Sequence, residues 1–181
     1  MSSNPLHSAD SPEWYTPSDI VERARRVMGV IDLDPMSHAE ANRTVRATKY
    51  YTARQNGLTK DWVGRVFINP AGGLVNLAWE HLYDTAPVEW VWIGYSLEQF
   101  QTLQRVGVFH PLEYSICVPD NRIAFVENRA KQAERKAKRE AAGKRFTAKS
   151  TPTHANYICY NGPNKDRFDE EFRDLGIVIL R

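Results

Sequence analysis

Twice in the first half of the chain a short apolar run ends in a polar residue followed by proline: Val30-Ile31-Asp32-Leu33-Asp34-Pro35 and Arg65-Val66-Phe67-Ile68-Asn69-Pro70. Runs of this length and composition read as buried strands. Proline fixes φ and has no N–H, so it ends the ladder. Each run therefore delivers a carboxylate or an amide to the carboxyl end of a strand. In α/β sheets ligands bind at those ends.

The segments around the two runs are helical. Thr16 reads as an N-cap, Pro17 as the first helical residue and Asp19 as the completion of a capping-box pattern. Ile20, Val21, Ala24, Val27 and Met28 follow at helical spacing, and Gly29 ends the run. Residues 36–64 give no clear period. After Asn69-Pro70-Ala71-Gly72-Gly73, a rigid turn, Leu74, Leu77, Ala78, His81 and Leu82 form a helical stripe. Val88–Tyr95 reads as a strand, and Ser96 caps a helix over Leu97–Gln104. Later strands are expected at Tyr114–Val118, Arg122–Val126, Asn156–Tyr160 and Gly176–Leu180. A last helix over Asp166–Leu175 buries Phe168, Phe172 and Leu175. Strand and helix alternate early and strands crowd late, which predicts an α/β sheet with helices on both faces and an antiparallel edge.

With 181 residues, 42% of them hydrophobic, the chain can bury one domain core. Residues 1–12 read as a flexible tail and 13–181 as a single domain. The longest apolar runs, Ile177–Leu180 among them, are far short of the roughly 18 residues of a membrane span. The start, Met1–Pro5, has no signal-peptide character, so a cytoplasmic protein is expected. Cys117 and Cys159 make no metal spacing, and the scattered histidines add none, so no metal is expected.

Asn69-Pro70 can do chemistry that few dipeptides can. The Asn side-chain oxygen and the proline carbonyl can converge on an exocyclic amine, accept its hydrogens and aim its lone pair at an electrophile. Asp34-Pro35 can hold a ribose hydroxyl or a cofactor amine, or cap the next helix. No glycine-rich dinucleotide fingerprint, phosphate loop, zinc-protease motif or nucleophile elbow is present.

Glu13-Trp14-Tyr15-Thr16-Pro17, Asp32-Leu33-Asp34-Pro35, Ala47-x-x-Tyr50-Tyr51-Thr52, Asn56-Gly57-Leu58, Asp61-Trp62 and Val66-Phe67-Ile68-Asn69-Pro70 follow one another in that order. The series resembles the phage-type DNA adenine-N6 methyltransferases, which are S-adenosylmethionine-dependent. The resemblance continues with Arg122-Ile123-Ala124-Phe125, similar to the family's Arg-x-x-Phe strand, and with Pro152–Tyr157. It implies a compact Rossmann-like methyltransferase sheet, S-adenosylmethionine as cofactor, double-stranded DNA as partner, and a phage or prophage protein in a bacterial cytoplasm. It further implies that Thr16, Pro17, Asp34, Pro35 and Asn69 line the cofactor site, and that Asn69 and Pro70 are catalytic. The motif departs from Asn-Pro-Pro-aromatic at Ala71 and Gly72, which removes the ring that stacks on the flipped base. Such a Gly-Gly variant resembles a branch of the family that continues into a stretch like Ser96–Thr102. Tyr95 or Trp79 are the candidate replacement rings. The departure keeps two alternatives open: an inactive methyltransferase-like DNA-binding protein, and an enzyme acting on another base amine.

Residues 129–149 hold nine basic residues and two acidic ones, a net of +7 against −5 for the remainder. This basic insert has no apolar stripe over 129–142, so it is not a core helix. It reads either as a solvated excursion or as a phosphate-contacting segment, with Lys131, Arg135, Lys138, Arg139 and the nearby Arg122 as nucleic-acid contacts.

Overall fold

The computed structural model describes residues 14–94, 96–107, 113–127, 129–146 and 155–181; for Val106 and residues 129–131 it describes the backbone alone. The expected tail, Tyr95, the Lys131 side chain, residues 147–149 of the insert and Pro152–His154 lie outside the described residues.

In chain order the elements are β1 (Trp14–Tyr15), α1 (Ser18–Met28), β2 (Leu33–Asp34), α2 (Ala39–Val45), β3 (Lys49–Tyr50), β4 (Arg65–Ile68), α3 (Val75–Thr85), β5 (Glu89–Gly94), α4 (Glu98–Val106), β6 (Ser115–Pro119), β7 (Val126–Glu127), α5 (Arg129–Ala141), β8 (Tyr157–Asn161), α6 (Lys165–Phe172) and β9 (Gly176–Ile179). Seven strands form one mixed sheet in the order β3-β2-β4-β5-β8-β6-β9. The first four are mutually parallel. β8 runs antiparallel to both β5 and β6, and β9 antiparallel to β6. The expected antiparallel edge is present at β9, and antiparallel pairing extends inward from it to β8. β1 and β7 form a separate antiparallel ribbon.

The period-two alternation of the central strands divides the core between two faces. Phe67, Val91, Ile93 and Cys117 point to the face packed by α1 and α6. Val66, Ile68, Trp90, Trp92 and Cys159 point to the face packed by α3 and α4. Each such buried side chain contributes about 1.5–3 kcal/mol of burial. The two cysteines lie on opposite faces, both free and buried, so they do not meet. No described helix is long and apolar enough to cross a membrane.

Several expected elements shift. α1 buries the five residues its spacing nominated and ends at Gly29, with φ of +81°. Its N-cap, however, is Pro17, whose carbonyl accepts the Val21 N–H at 3.1 Å, and Thr16 is not the cap. On α3 the buried face is Val75, Ala78, Trp79 and Leu82, while Leu77 is 49% exposed. The Trp79 indole, stacked on Trp92 at 4.2 Å, takes the inward position. The Arg122–Val126 strand is not formed. Residues 122–125 are an irregular strap, and pairing begins only at Val126.

At the amino end of β5 a buried polar clamp joins three elements. The Tyr160 hydroxyl donates to Glu89 Oε1 at 2.5 Å and accepts the Asn164 N–H at 2.8 Å. Asn164 Nδ2 also lies 3.0 Å from Glu89 Oε1 and 3.1 Å from the Val27 carbonyl at the end of α1. Tyr160→Phe leaves the buried Glu89 carboxylate and the Asn164 amide each one partner short. It is expected to cost about 1–3 kcal/mol, read as a lower guanidinium midpoint with an unchanged slope. An unchanged midpoint contradicts the clamp.

Candidate active site

The connections of the parallel strands part between β2 and β4. From β2 the chain passes through α2 to β3 on one side, and from β4 through α3 to β5 on the other. The carboxyl ends of β2 and β4 beside that parting are where open α/β sheets bind ligands, and a crevice is expected there. Asp34 is the last residue of β2, and Asn69 follows the last residue of β4. The crevice therefore brings together the two polar residues that the Asp-Pro and Asn-Pro turns deliver.

Thr16 completes the group. It lies between the β1–β7 ribbon and α1, is 6% exposed, and its hydroxyl accepts a hydrogen bond from Asn69 Nδ2 at 3.1 Å. The hydroxyl is thus spent on Asn69 rather than on capping α1. Holding the amide by its nitrogen fixes which end of Asn69 is presented: Oδ1 makes no hydrogen bond with the described residues and remains an acceptor. Tyr15, one residue earlier, packs its ring on His38 at 5.1 Å, which lays the ribbon over the loop that follows β2.

Asp32 and Asp34 share a strand direction but not an environment. Asp32 Oδ2 accepts both the Arg65 backbone N–H and its Nε at 2.9 Å. The Arg65 guanidinium holds that carboxyl below the usual range. Asp34 is 4% exposed and pairs with no Lys or Arg among the described residues. Burial pushes it up to about 6, against the opposing pull of the neighbouring Ser37 hydroxyl and of the Met36 N–H, 3.3 Å from Oδ1. A carboxyl buried at the carboxyl end of a strand with its pKa raised by desolvation is a candidate functional group.

Pro35 is buried under the turn at Gly57. A Cβ there would fall 1.9 Å from the Pro35 carbonyl oxygen, so residue 57 has to be glycine. Pro35, Met36, Asn56, Leu58 and Leu74 line a small hollow of about 20 Å³ beside the end of β2. A wider cleft of about 290 Å³ lies along the same rim, between Pro17 and Ile20 at the start of α1 and the 119–124 strap. Arg122 is exposed on that strap. The strap is held by a residue to which the sequence reading gave no role. Asn156, 2% exposed, accepts the Ile123 N–H at 2.9 Å and donates to the Gly94 carbonyl at 3.4 Å. Its signal in the sequence is an amide immediately before an apolar strand.

Pro70 is buried directly after Asn69. Trp79 is 1% exposed within the tryptophan stack, so it is not the ring that replaces the missing aromatic. A Cβ at Gly73 would meet nothing within 4 Å, so that glycine relieves no clash.

The basic insert is helical over Arg129–Ala141 and mostly exposed. Lys138 and Arg139 are open to solvent. Arg135 faces inward instead: its Nη2 donates to the buried Glu127 carboxylate at 2.7 Å, and its guanidinium lies 5.3 Å from the Phe146 ring. It seats α5 on the β1–β7 ribbon. No protein-family model, curated protein or solved structure matches the chain.

The raised Asp34 carboxyl sets a sign for stability against pH. The folded chain keeps the Asp34 proton up to about 6, whereas an unfolded aspartate loses it near 3.9. The folded state binds more protons between these values, so wild-type stability falls as pH rises through that window. Asp34→Asn removes the slope. Its melting temperature relative to wild type is expected to rise from pH 4 to pH 7, and a difference that stays constant over this range contradicts the assignment.

Proposed function

We propose that the chain transfers a methyl group from S-adenosylmethionine to the exocyclic amine of adenine in DNA, on a Rossmann-like methyltransferase sheet. One observation carries this reading: Asp34 and Asn69 end adjacent parallel strands where the strand connections part, Thr16 holds Asn69, and Asp34 is buried with no cationic partner among the described residues. The donor set fits the cofactor, because S-adenosylmethionine carries an ammonium that a buried carboxylate can pair with.

When bound, the cofactor supplies an electrophilic methyl group. The chain's own residues supply position. Asp34 would hold the ammonium and be ionised by it, since a nearby positive charge favours the charged carboxylate. Thr16 holds Asn69 by Nδ2, which turns Oδ1 toward the target amine as an acceptor. Pro70 has no N–H and offers only its carbonyl. Two acceptors at the amine would orient its lone pair and stabilise the positive charge that develops on nitrogen as the methyl group passes to it from the sulfonium, whose sulfur leaves as a neutral thioether while the surplus amine proton is lost to water. No protein nucleophile takes part. The space above Gly73 allows close approach of a flipped base, at the expense of a stacking contact worth about 1–3 kcal/mol.

Outside the crevice, α5 supplies charge. Lys138 and Arg139 are its exposed cations for phosphate, whereas Arg135 already serves Glu127.

Asn69→Ala is expected to lower turnover on unmethylated DNA by about 10²–10³-fold, the usual loss for one transition-state donor or acceptor, with little change in cofactor affinity. Labelled methyl transfer and calorimetry separate the two. Full activity in Asn69→Ala places the chemistry elsewhere, and an absence of both turnover and cofactor binding in the wild type favours the inactive DNA-binding alternative. Replacing Lys138 and Arg139 by Gln is expected to weaken binding on every DNA sequence alike and to reduce the slope of log affinity against log salt by up to about two, near 0.9 per phosphate. An unchanged slope removes α5 from the interface.

A further inference from the structure

The two edges of the seven-stranded sheet are built differently. At one edge β3 is two residues long and carries the exposed Lys49, both devices that discourage strand addition. At the other edge β9 runs Gly176-Ile177-Val178-Ile179 and continues into Leu180, with no charge or proline in the run. Ile177 is 69% exposed, Ile179 45% and Leu180 39%. Among the described residues only β6 pairs with this strand.

The register tells which backbone groups of β9 are spare. Val118 faces Ile177 and Ile116 faces Ile179. At the entry to β9 the Leu175 carbonyl accepts the Asp120 N–H at 2.7 Å, and at its exit the Arg181 N–H reaches the Ser115 hydroxyl at 3.2 Å. Odd-numbered residues therefore direct their N–H and C=O groups toward β6. By the alternation of an antiparallel ladder, Gly176, Val178 and Leu180 direct theirs outward.

We infer that this edge pairs with the β9 edge of a second copy of the chain, antiparallel about a two-fold axis at Val178. The arrangement is self-complementary in both backbone and side chains. Val178 exchanges both hydrogen bonds with its own counterpart, and Gly176 exchanges both with Leu180 of the second copy. Ile177 then stands opposite Ile179 of the second copy in the closer, non-hydrogen-bonded pairing, twice over. The four exposed isoleucines come together on one face and leave water. One sheet continues into the other through β6-β9-β9-β6, and a two-fold contact of this kind closes on itself rather than propagating. β9 is four positions away from β4 in the sheet, so both crevices remain open. The inference does not depend on the methyl-transfer reading.

Sedimentation equilibrium on the full chain from 1 to 100 μM tests it. The wild type is expected to reach twice the mass of one chain. Ile177→Lys with Ile179→Lys alters exposed side chains and sets like charges opposite each other, so it is expected to sediment as a monomer with an unchanged circular dichroism spectrum. Leu180→Pro removes an outward N–H but no N–H of the β6 ladder, and is expected to weaken the dimer at least tenfold without unfolding. Val63→Lys with Val88→Lys, at exposed apolar positions elsewhere, is expected to remain a dimer. A wild type that stays monomeric at 100 μM overturns the inference, as does a double-lysine β9 variant that still dimerises, or open-ended association beyond two chains.

Discussion

The parting of the strand connections between β2 and β4 is the constraint on which the rest of the molecule depends. It leaves two carboxyl ends side by side, with the β3–β4 crossover folding back over the end of β2 at Gly57. What stands at those ends is fixed by two X-Pro steps, Asp34-Pro35 and Asn69-Pro70, which stop the strands and so set where the polar side chains fall. Three supports then hold the crevice in shape. The β1–β7 ribbon brings Thr16 to Asn69, the turn at Gly57 presses on Pro35, and Asn156 ties the strap to β5.

A site of this kind costs stability, and the cost is offset elsewhere. Burying Asp34 with no cationic partner among the described residues works against folding at neutral pH, whereas its near neighbour Asp32 is satisfied by Arg65. Stability comes from the two apolar faces of β4 and β5, from the tryptophan stack over α3, and from the clamp of Glu89, Tyr160 and Asn164 at the opposite rim. The surface ion pairs that join α1 to α6, such as Arg26 with Glu171 at 2.7 Å, add little individually. The sheet is therefore most firmly knit at the rim away from the crevice.

Much of this was legible in the sequence, and the failures have physical causes. β4, β5 and the buried face of α1 were readable because apolar periodicity and a sharp stop coincide there. Residues 36–64 were not, because α2 buries only Val45 and β3 is two residues long. Such elements are held by neighbours rather than by their own pattern. Ile123 and Phe125 alternate as a strand would, but the strap satisfies its backbone through Asn156, a partner 33 residues away. The threonine-proline pair was singled out, but the Thr16 hydroxyl was assigned to helix capping when a long-range partner takes it. Arg135 carries the same charge as its neighbours, and only the fold reveals that Glu127 neutralises it.

The central claim is that Asp34 awaits a cationic ligand in this crevice. Its most direct test is the carboxyl carbon-13 shift of Asp34, titrated from pH 3.5 to 8 with and without saturating S-adenosylmethionine. Alone, the resonance is expected to titrate with a midpoint near 6. With the cofactor's ammonium beside it, the carboxylate is expected to stay ionised to a pH at least about one unit lower. A midpoint that the cofactor leaves in place contradicts the account.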